Sequence, residues 1–285
     1  MNKKFIENIE VIDISSKGKG VCKDKTGRVI FVDGVVPGDR INIKIIRKRK
    51  NYFEGKKTEI LNPSKKRIVP KCEHFGLCGG CKFQNMSYDA QLEFKQKQIL
   101  DNLKGFSEMT IPKISRIKKA KKIYFYRNKM EFSFSEKKWL TKEEINNKNQ
   151  NIIRKGLGFH KSGAWNKVVD ITKCHLQKEP SNKIRNSIRD FAIKYNYKFF
   201  DYKLNKGFLR TLMIRSSSNG LMVLIQFFKE NKVKREKLLI FLIKNFPEIK
   251  SLLYCINSKK NDSIYDQQII CYHGSNHIIE KIDKY

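Results

Sequence analysis

No apolar run in the sequence approaches the ~18–20 residues that a helix needs to cross a bilayer. The N-terminus, Met1-Asn2-Lys3-Lys4-Phe5, also lacks the long apolar core of a secretory signal. Cysteine is scarce, and the odd count of seven in 285 residues argues against the paired cysteines of a secreted disulfide scaffold. The sequence therefore predicts a cytoplasmic protein with reduced thiols and no membrane partner.

Acidic residues are also few. There are 28 Asp and Glu against 61 Lys and Arg, and the formal net charge is +33. A positive excess of this size attracts a polyanion at long range, and nucleic acid is the natural candidate. Part of the excess is a composition bias, because Lys, Asn and Ile are abundant throughout, as in an AT-rich genome.

What the chain does contain is a compact cysteine cluster. Three cysteines lie within ten residues at the spacing C-x5-C-x2-C, and they are Cys72, Cys78 and Cys81. Gly79 and Gly80 fill the last gap, and glycine permits a turn with φ > 0 that can direct three sulfurs to one point. A metal ion or iron–sulfur cluster usually takes four protein ligands. The best candidate for the fourth is Cys174.

Three readings of these cysteines stay open on spacing alone. Four thiolates favour a [4Fe–4S] cluster. Three cysteines with His74 or His175 as the fourth ligand would instead suit zinc. The third alternative is a set of unrelated small core residues, which the clustering and the Gly-Gly turn disfavour.

The length predicts two domains, with a boundary near residue 62. Residues 1–62 show short strands at Phe5–Ile14, Val29–Val32 and Arg40–Ile46, separated by glycine turns. This pattern is typical of a five-stranded barrel of the OB type, a fold that commonly binds oligonucleotides.

The last of these strands runs into the basic run Arg47-Lys48-Arg49, with Tyr52 and Phe53 just after it. We interpret the run as an RNA-backbone contact with aromatic residues at hand for base stacking. The alternative is a charged, solvated strand edge that prevents sheet pairing.

Residues 63–285 predict an α+β domain with a largely antiparallel sheet. Its predicted elements are a helix between Ser87 and Gly105, a strand over 123–134, a polar loop over 142–151, helices over 184–195 and 232–246, and a hairpin over 209–228 with an Asn-Gly turn. The stretch 115–130 carries seven Lys and Arg, three aromatics and no acid.

These motifs together resemble one family, the bacterial S-adenosylmethionine-dependent RNA (uracil-C5) methyltransferases in their iron–sulfur 23S rRNA branch. The resemblance covers the whole chain. It is carried by a TRAM-like N-terminal barrel, C-x5-C-G-G-C, Tyr126-Arg127-Asn128-Lys129, Leu157-Gly158-Phe159-His160, Leu209-Arg210, Ile214-Arg215, Ile256-Asn257 and Tyr272-His273-Gly274.

The resemblance implies that Cys72, Cys78, Cys81 and Cys174 hold a [4Fe–4S] cluster with a structural or RNA-positioning role. It implies an RNA partner, 23S rRNA, whose target uridine is flipped out of its stack. Arg127 and Lys129 would contact phosphates and Phe159 would stack on a base. The structural alternative for these three is a cationic strand face with one core aromatic.

The family's chemistry resides in a C-terminal Rossmann-like domain with a glycine-rich cofactor loop, a cysteine that adds to uracil C6 and a base that removes the C5 proton. No such loop occurs in this sequence. Cys22, Cys255 and Cys271 lack an evident acid or His partner, so no catalytic residue is assigned. We therefore expect the methyltransferase domain to be absent, with S-adenosylmethionine bound only if that domain is supplied.

Three functions follow as alternatives. The chain is the RNA-recognition part of a 23S rRNA (uracil-C5) methyltransferase that forms 5-methyluridine when complete, with a separately encoded catalytic half as partner. Alternatively, it is a non-catalytic RNA-binding iron–sulfur protein, or the decaying remnant of a split gene. The activity of these residues on their own is left open, and His74, His160 and His175 are assigned structural roles.

Overall fold

The computed structural model describes residues 4–105, 110, 112–147 and 152–283. The chain divides into two compact units. The first comprises Met1–Gly76 and Cys81–Ile123, and the second comprises Leu77–Gly80 and Tyr124–Tyr285. Among the helices in the described ranges, none combines the length and the apolar character needed to cross a membrane.

A six-stranded sheet forms the framework of the first unit. Its strands in chain order are β1 (Phe5–Glu10), β2 (Asp13–Ile14), β3 (Gly20–Lys23), β4 (Val29–Val32), β5 (Arg40–Lys48) and β6 (Tyr52–Asn62). In space they follow the order β1-β5-β6-β4-β3-β2, and β4 and β6 are the parallel pair in an otherwise antiparallel arrangement. Alternate residues of β5, namely Ile41, Ile43 and Ile45, point into one buried apolar core.

The predicted strands over Val29–Val32 and Arg40–Ile46 are confirmed. The predicted five-stranded count is wrong, because β3 and β6 were not recognised and the predicted strand over Phe5–Ile14 is divided into β1 and β2. Val11 lies between β1 and β2, outside both strands, and its backbone N–H donates to the Asp39 carbonyl at 2.9 Å.

Asp39 fixes the turn that leads into β5. Its carboxylate is fully buried and accepts hydrogen bonds from the backbone N–H groups of Val36 at 2.7 Å and Ser64 at 2.9 Å. The Arg67 guanidinium donates to the same carboxylate through two nitrogens. Burial alone would raise the pKa of Asp39, but these hydrogen bonds and the charge of Arg67 outweigh it and lower that pKa.

Helix α1 (Tyr88–Lys104) lies on the surface of the first unit. The predicted N-cap is confirmed, because the Ser87 hydroxyl accepts a hydrogen bond from the Ala90 N–H at 3.4 Å. Gly105 ends the helix, as predicted. Ala90 and Leu92 are its buried residues, so most of the helix surface faces solvent.

The second unit contains a seven-stranded sheet and three helices. In chain order its elements are β7 (Lys129–Ser135), α2 (Lys142–Asn146), β8 (Gly156–Lys161), β9 (Ala164–Asp170), α3 (Ser181–Lys194), β10 (Leu209–Ser217), β11 (Gly220–Phe227), α4 (Lys232–Asn245), β12 (Ile249–Ile256) and β13 (Ile270–Gly274). The strand order is β13-β12-β11-β10-β7-β8-β9, with β11 and β12 parallel and the other neighbours antiparallel.

Both faces of this sheet are covered. Strand β11 is buried along most of its length, as expected for a central strand packed on two sides. Helices α3 and α4 contact each other through Phe191 and Phe241, whose ring centroids lie 4.6 Å apart. A separate cluster includes Leu224 and Leu253, with Ile264 packed against it.

The predicted hairpin and the two predicted helices of this unit are confirmed by β10–β11, α3 and α4. The predicted strand over 123–134 is wrong in its first half, since β7 begins only at Lys129. Part of the predicted 142–151 loop is helix α2, and residues 148–151 lie outside the described residues.

The predicted fold class also includes an iron–sulfur site, and the structure does not support that part. Across the described ranges, no group of three or more His, Cys, Asp and Glu residues is arranged to hold a metal ion. The four cysteines belong to different units, Cys72 and Cys81 to the first and Cys78 and Cys174 to the second. All seven cysteines are described, and none forms a disulfide.

Candidate nucleic-acid interface

The basic run of the first unit stands at the tip of the β5–β6 hairpin. The Arg49 N–H donates to the Tyr52 carbonyl at 2.9 Å, which closes the turn. Arg47, Lys48 and Arg49 are all exposed. Arg47 lies 3.9 Å from Glu54, a loose ion pair whose arginine side is 58% exposed. The tip therefore presents positive charge to solvent. The alternative of a charged sheet edge does not hold for β5, because this strand lies between β1 and β6.

The aromatic pair beside this tip is not available for base stacking as predicted. Phe53 is buried in the core of the first unit. Tyr52 is half-buried and packs edge-on against Phe31, with ring centroids 5.3 Å apart. Arg28 lies 4.9 Å from the Phe53 ring centroid and Lys48 lies 5.9 Å from it. Both cations therefore lie over the ring at cation–π distance.

The second unit presents the segment Tyr124–Lys129 ahead of β7. Two backbone hydrogen bonds fix it, from the Phe125 N–H to the His175 carbonyl and from the Arg127 N–H to the Leu176 carbonyl, both at 2.8 Å. Phe125 adopts a φ of 55°, the left-handed conformation that an aromatic residue rarely takes. The segment therefore has a defined shape although it is neither helix nor strand.

Arg127 and Lys129 are both exposed, but their surroundings differ. Lys129 has an acidic partner that the sequence pattern did not reveal, because its Nζ lies 3.0 Å from the Glu131 carboxylate. Tyr126, which directly precedes Arg127 in the motif, is 62% exposed. An exposed aromatic beside an arginine is the combination that stacks on and neutralises single-stranded nucleic acid. Sequence reasoning missed Tyr126, although its place in an acid-free basic run was the available signal.

Phe159 on β8 is half-buried and packs against Phe132, with ring centroids 5.0 Å apart. Its neighbour His160 bonds to the Ser133 hydroxyl through Nε2 at 3.2 Å and contacts the Tyr202 ring at 4.8 Å. Burial lowers the pKa of His160, so the imidazole is neutral at pH 7 and adds no positive charge to the surface.

Arg210, another motif residue, is buried and has a structural role. Its guanidinium donates to three carbonyl oxygens, those of Asn257 at 2.9 Å, Lys259 at 2.7 Å and Lys260 at 3.2 Å. The Asn257 side chain donates to Gln226 at 3.1 Å. These contacts hold the loop that follows β12.

The segment around Cys174 is fixed in the same manner. The Asn182 side chain accepts from the Cys174 N–H at 2.8 Å and donates to the Cys174 carbonyl at 3.1 Å. Arg185, fully buried, donates to Asn182 at 2.9 Å and to the Thr172 carbonyl at 2.7 Å. Helix α3 therefore sets the backbone position of Cys174.

Two other cysteines are protected thiols. Burial raises the pKa of Cys22 to about 12 and that of Cys255 to about 11, so both stay protonated at neutral pH. Cys271 is exposed, and its Sγ lies 3.5 Å from the Gly274 carbonyl. The assignment of no catalytic role to these three cysteines stays a prediction.

Comparison with known proteins adds to this geometry. Residues 6–58, which span most of the first sheet, match the TRAM domain. An uncharacterized RNA methyltransferase of Bacteroides thetaiotaomicron is 42% identical over 274 residues, which cover 95% of this chain and 60% of the relative. Another from Porphyromonas gingivalis is 39% identical over 281 residues, covering 96% of this chain and 60% of the relative.

The chain is similar to RNA methyltransferases over most of its own length, and residues 6–58 match the TRAM domain. The crystal structure of Pyrococcus abyssi tRNA (uracil-54, C5)-methyltransferase in complex with S-adenosyl-L-homocysteine is similar in fold. The two align with a TM-score of 0.63 at 23% identity, over 97% of this chain and 57% of that one. The chain thus spans about 60% of the length of the curated relatives that it matches.

These matches overturn the prediction that the Rossmann-like methyltransferase domain is absent. The solved methyltransferase aligns with 97% of this chain, and the curated RNA methyltransferases align with 95–96% of it. Each alignment covers only part of the relative. The loss of a domain therefore cannot be inferred from the position of this chain's last residue. The split-gene and remnant interpretations, and the absence of S-adenosylmethionine binding, depended on the predicted loss of that domain and are not supported by these matches.

Proposed function

We propose that the protein methylates the C5 carbon of a uracil in RNA with S-adenosylmethionine as methyl donor, and that the residues described here bind the RNA. The observation that supports this most strongly is the similarity to RNA methyltransferases over 95–96% of the chain. The fold shared with a tRNA (uracil-54, C5)-methyltransferase supports the choice of uracil C5. The bound S-adenosyl-L-homocysteine of that structure supports the choice of methyl donor.

Two groups of residues are the proposed RNA contacts. In the TRAM domain these are Arg47, Lys48 and Arg49 at the hairpin tip, where a compact cationic turn suits the phosphate backbone. In the second unit they are Arg127, Lys129 and Phe159. The pairing of Lys129 with Glu131 makes Arg127 the stronger phosphate contact of the two, and the packing of Phe159 on Phe132 leaves only part of its ring for a base.

The RNA is proposed to be 23S rRNA, on the resemblance to the rRNA branch of the family. The solved neighbour acts on tRNA. A test must therefore offer both RNAs.

The role of Cys72, Cys78, Cys81 and Cys174 as ligands stays a prediction from their spacing. No group of three or more metal-binding side chains occurs in the part of the chain that the structure describes. No step of the proposed reaction depends on a metal. The predicted cytoplasmic location likewise stays a prediction.

The reaction replaces the hydrogen on uracil C5 by a methyl group, so the release of that hydrogen can be measured. The protein is expressed from its own gene and mixed with S-adenosylmethionine and RNA transcribed with [5-³H]uridine. We expect tritium in the water from a 23S rRNA transcript, and none without the methyl donor. RNA binding with no tritium release from either 23S rRNA or tRNA would reject uracil-C5 methylation and leave a binding protein.

A further inference from the structure

The first unit carries a second basic element, formed by residues 112–123. This segment contains Lys113, Arg116, Lys118, Lys119, Lys121 and Lys122, and no acidic residue. It has neither helix nor strand structure, and its basic side chains are all exposed. We call it the basic strap.

The strap is fastened to helix α1 by hydrogen bonds to its backbone. The Gln96 side chain donates to the Ser115 carbonyl at 3.1 Å and accepts from the Ile117 N–H at 2.7 Å. Eight residues earlier on the helix, the Tyr88 hydroxyl accepts from the Ala120 N–H at 2.9 Å. One amide that bonds both a carbonyl and an N–H of the same segment fixes its orientation as well as its position.

The spacing of these attachments shows that the strap runs antiparallel to α1 in a nearly extended form. Tyr88 and Gln96 are about 12 Å apart along the axis, at ~1.5 Å per residue. Ile117 and Ala120 are three residues apart, and a fully extended chain spans about 10–11 Å over that interval at ~3.3–3.6 Å per residue. An extended, attached segment displays its side chains as a row rather than as a flexible cluster.

Carboxylates on and around α1 neutralise the lysines of the helix but not most of the strap. Lys97 lies between Asp101 at 2.7 Å and Asp13 at 2.6 Å, and hydrogen bonds from these two carboxylates raise the pKa of Lys97. Lys66 pairs with Glu93 at 2.8 Å.

In the strap, Lys119 pairs with Asp89 on α1. Within the described residues, no ion pair involves Lys113, Arg116, Lys118, Lys121 or Lys122. An open cleft of about 830 Å³ lies between α1 and the strap, and Arg116, Ile117 and Lys119 of the strap contribute to its lining. The excess positive charge of this region therefore belongs to the strap, where five of the six basic residues lack a carboxylate partner in the described part of the chain.

We propose that the basic strap is a preformed binding element for the phosphate backbone of single-stranded RNA, with Lys118, Lys121 and Lys122 as its principal contacts. The row of cations without carboxylates supplies the attraction. The attachment to Gln96 and Tyr88 removes the ordering penalty that a free basic tail would incur on binding. This inference rests on the proposed RNA-binding function and extends it to a surface outside the hairpin tip and the Tyr124–Lys129 segment.

The test compares the salt dependence of RNA binding among variants of the whole chain. Fluorescence anisotropy with a labelled 20-nucleotide oligouridine, from 50 to 300 mM KCl, gives the slope of log affinity against log salt. The slope is negative, and each lost phosphate contact to a single strand reduces its magnitude by about 0.7. The triple variant K118Q/K121Q/K122Q should therefore reduce the magnitude by about 2. A matched control, K229Q/K232Q/K244Q, removes the same charge from exposed lysines at α4 and should change the slope by less than about 0.5.

A further variant tests the attachment rather than the charge. Gln96→Leu removes both side-chain bonds to the strap and keeps every lysine. We expect it to weaken binding about three- to tenfold with little change in slope, because the loosened strap must be ordered when RNA binds. Circular dichroism should show unchanged secondary structure in all variants.

The outcomes separate the two claims. If the unaltered protein binds oligouridine without salt dependence, the proposed RNA-binding function fails and the strap inference fails with it. If the unaltered protein binds with a clear slope, the strap inference alone fails under either of two results. One is a strap triple variant that matches the control, and the other is a Gln96→Leu variant that binds as tightly as the unaltered protein.

Discussion

The buried Arg210 makes a sharp prediction about the loop that follows β12. The guanidinium carbon of Arg210 lies 4.7 Å from the ring centroid of Phe200 and 5.7 Å from that of Phe228. Replacing Arg210 with methionine keeps most of the side-chain volume against these two rings. The change removes three hydrogen bonds from a charged donor to carbonyl oxygens. At ~1.5–3 kcal/mol for each such bond, the gross loss is about 5–9 kcal/mol.

Two effects reduce that figure. Removing a buried guanidinium recovers a desolvation penalty of roughly several kcal/mol, and burial is the main reason that the pKa of Arg210 is lowered. The carbonyl of Lys260 lies on an exposed loop residue and can bond to water instead. We therefore expect Arg210→Met to lower the free energy of unfolding by about 2–4 kcal/mol.

Urea unfolding followed by tryptophan fluorescence measures this loss, because both tryptophans, Trp139 and Trp165, belong to the second unit. Arg210→Lys is the control. A single ammonium cannot reach the three separate carbonyls that the planar guanidinium reaches. The loss of unfolding free energy in the lysine variant should therefore lie within about 1 kcal/mol of the loss in the methionine variant. Full stability in the lysine variant, or a loss below about 0.5 kcal/mol in the methionine variant, would refute the argument.

Two further predictions concern the buried carboxylate and the cysteines. Asp39→Asn should lower stability by about 2–4 kcal/mol at pH 7, measured by circular dichroism in urea, because the Arg67 pair and the charge-assisted bonds are lost. The folded pKa of Asp39 is lowered, so its contribution is present above the unfolded value near 4 and is lost as the pH falls below it. The asparagine variant should therefore lose less stability between pH 7 and 3 than the unaltered protein, and equal losses would contradict this reasoning. Iodoacetamide at pH 7.5 should label Cys271 in the folded state and spare Cys22 and Cys255, as read by mass spectrometry; rapid labelling of either buried thiol would show that its burial is wrong.

The elements that sequence analysis predicted are those whose signals are local. Val29–Val32 is a short apolar run, and the β10–β11 hairpin has an Asn-Gly turn between two buried strands. The start of α1 follows from Ser87, whose capping contact involves residues only three positions away. Such elements depend little on the rest of the chain.

The missed features depend on distant partners. Strand β6 contains Gly55 and two lysines, and it forms because it pairs with both β5 and β4. Phe53 was expected at the surface, but it fills the core because its strand position points inward. Phe125–Arg127 looked like a strand, yet its N–H groups bond to the segment around His175.

The candidate site was predictable in part. The basic hairpin tip was located from its composition and the Tyr126–Lys129 motif from the family resemblance, and both are exposed. The role of Arg210 was hidden, because its three acceptors lie 47 to 50 residues away in the chain. The expectation of an absent methyltransferase domain rested on the lack of a glycine-rich cofactor loop, and the alignments with RNA methyltransferases overturned it.

The most direct test of uracil-C5 methylation is a measurement in cells. Ribosomal and transfer RNA from a strain without this gene, and from the same strain with the gene restored, are digested and analysed for 5-methyluridine by liquid chromatography and mass spectrometry. The proposal predicts that one 5-methyluridine in 23S rRNA disappears on deletion and returns on complementation. An unchanged 5-methyluridine content in both RNAs would contradict it, and loss from tRNA alone would keep the reaction and reject the rRNA substrate.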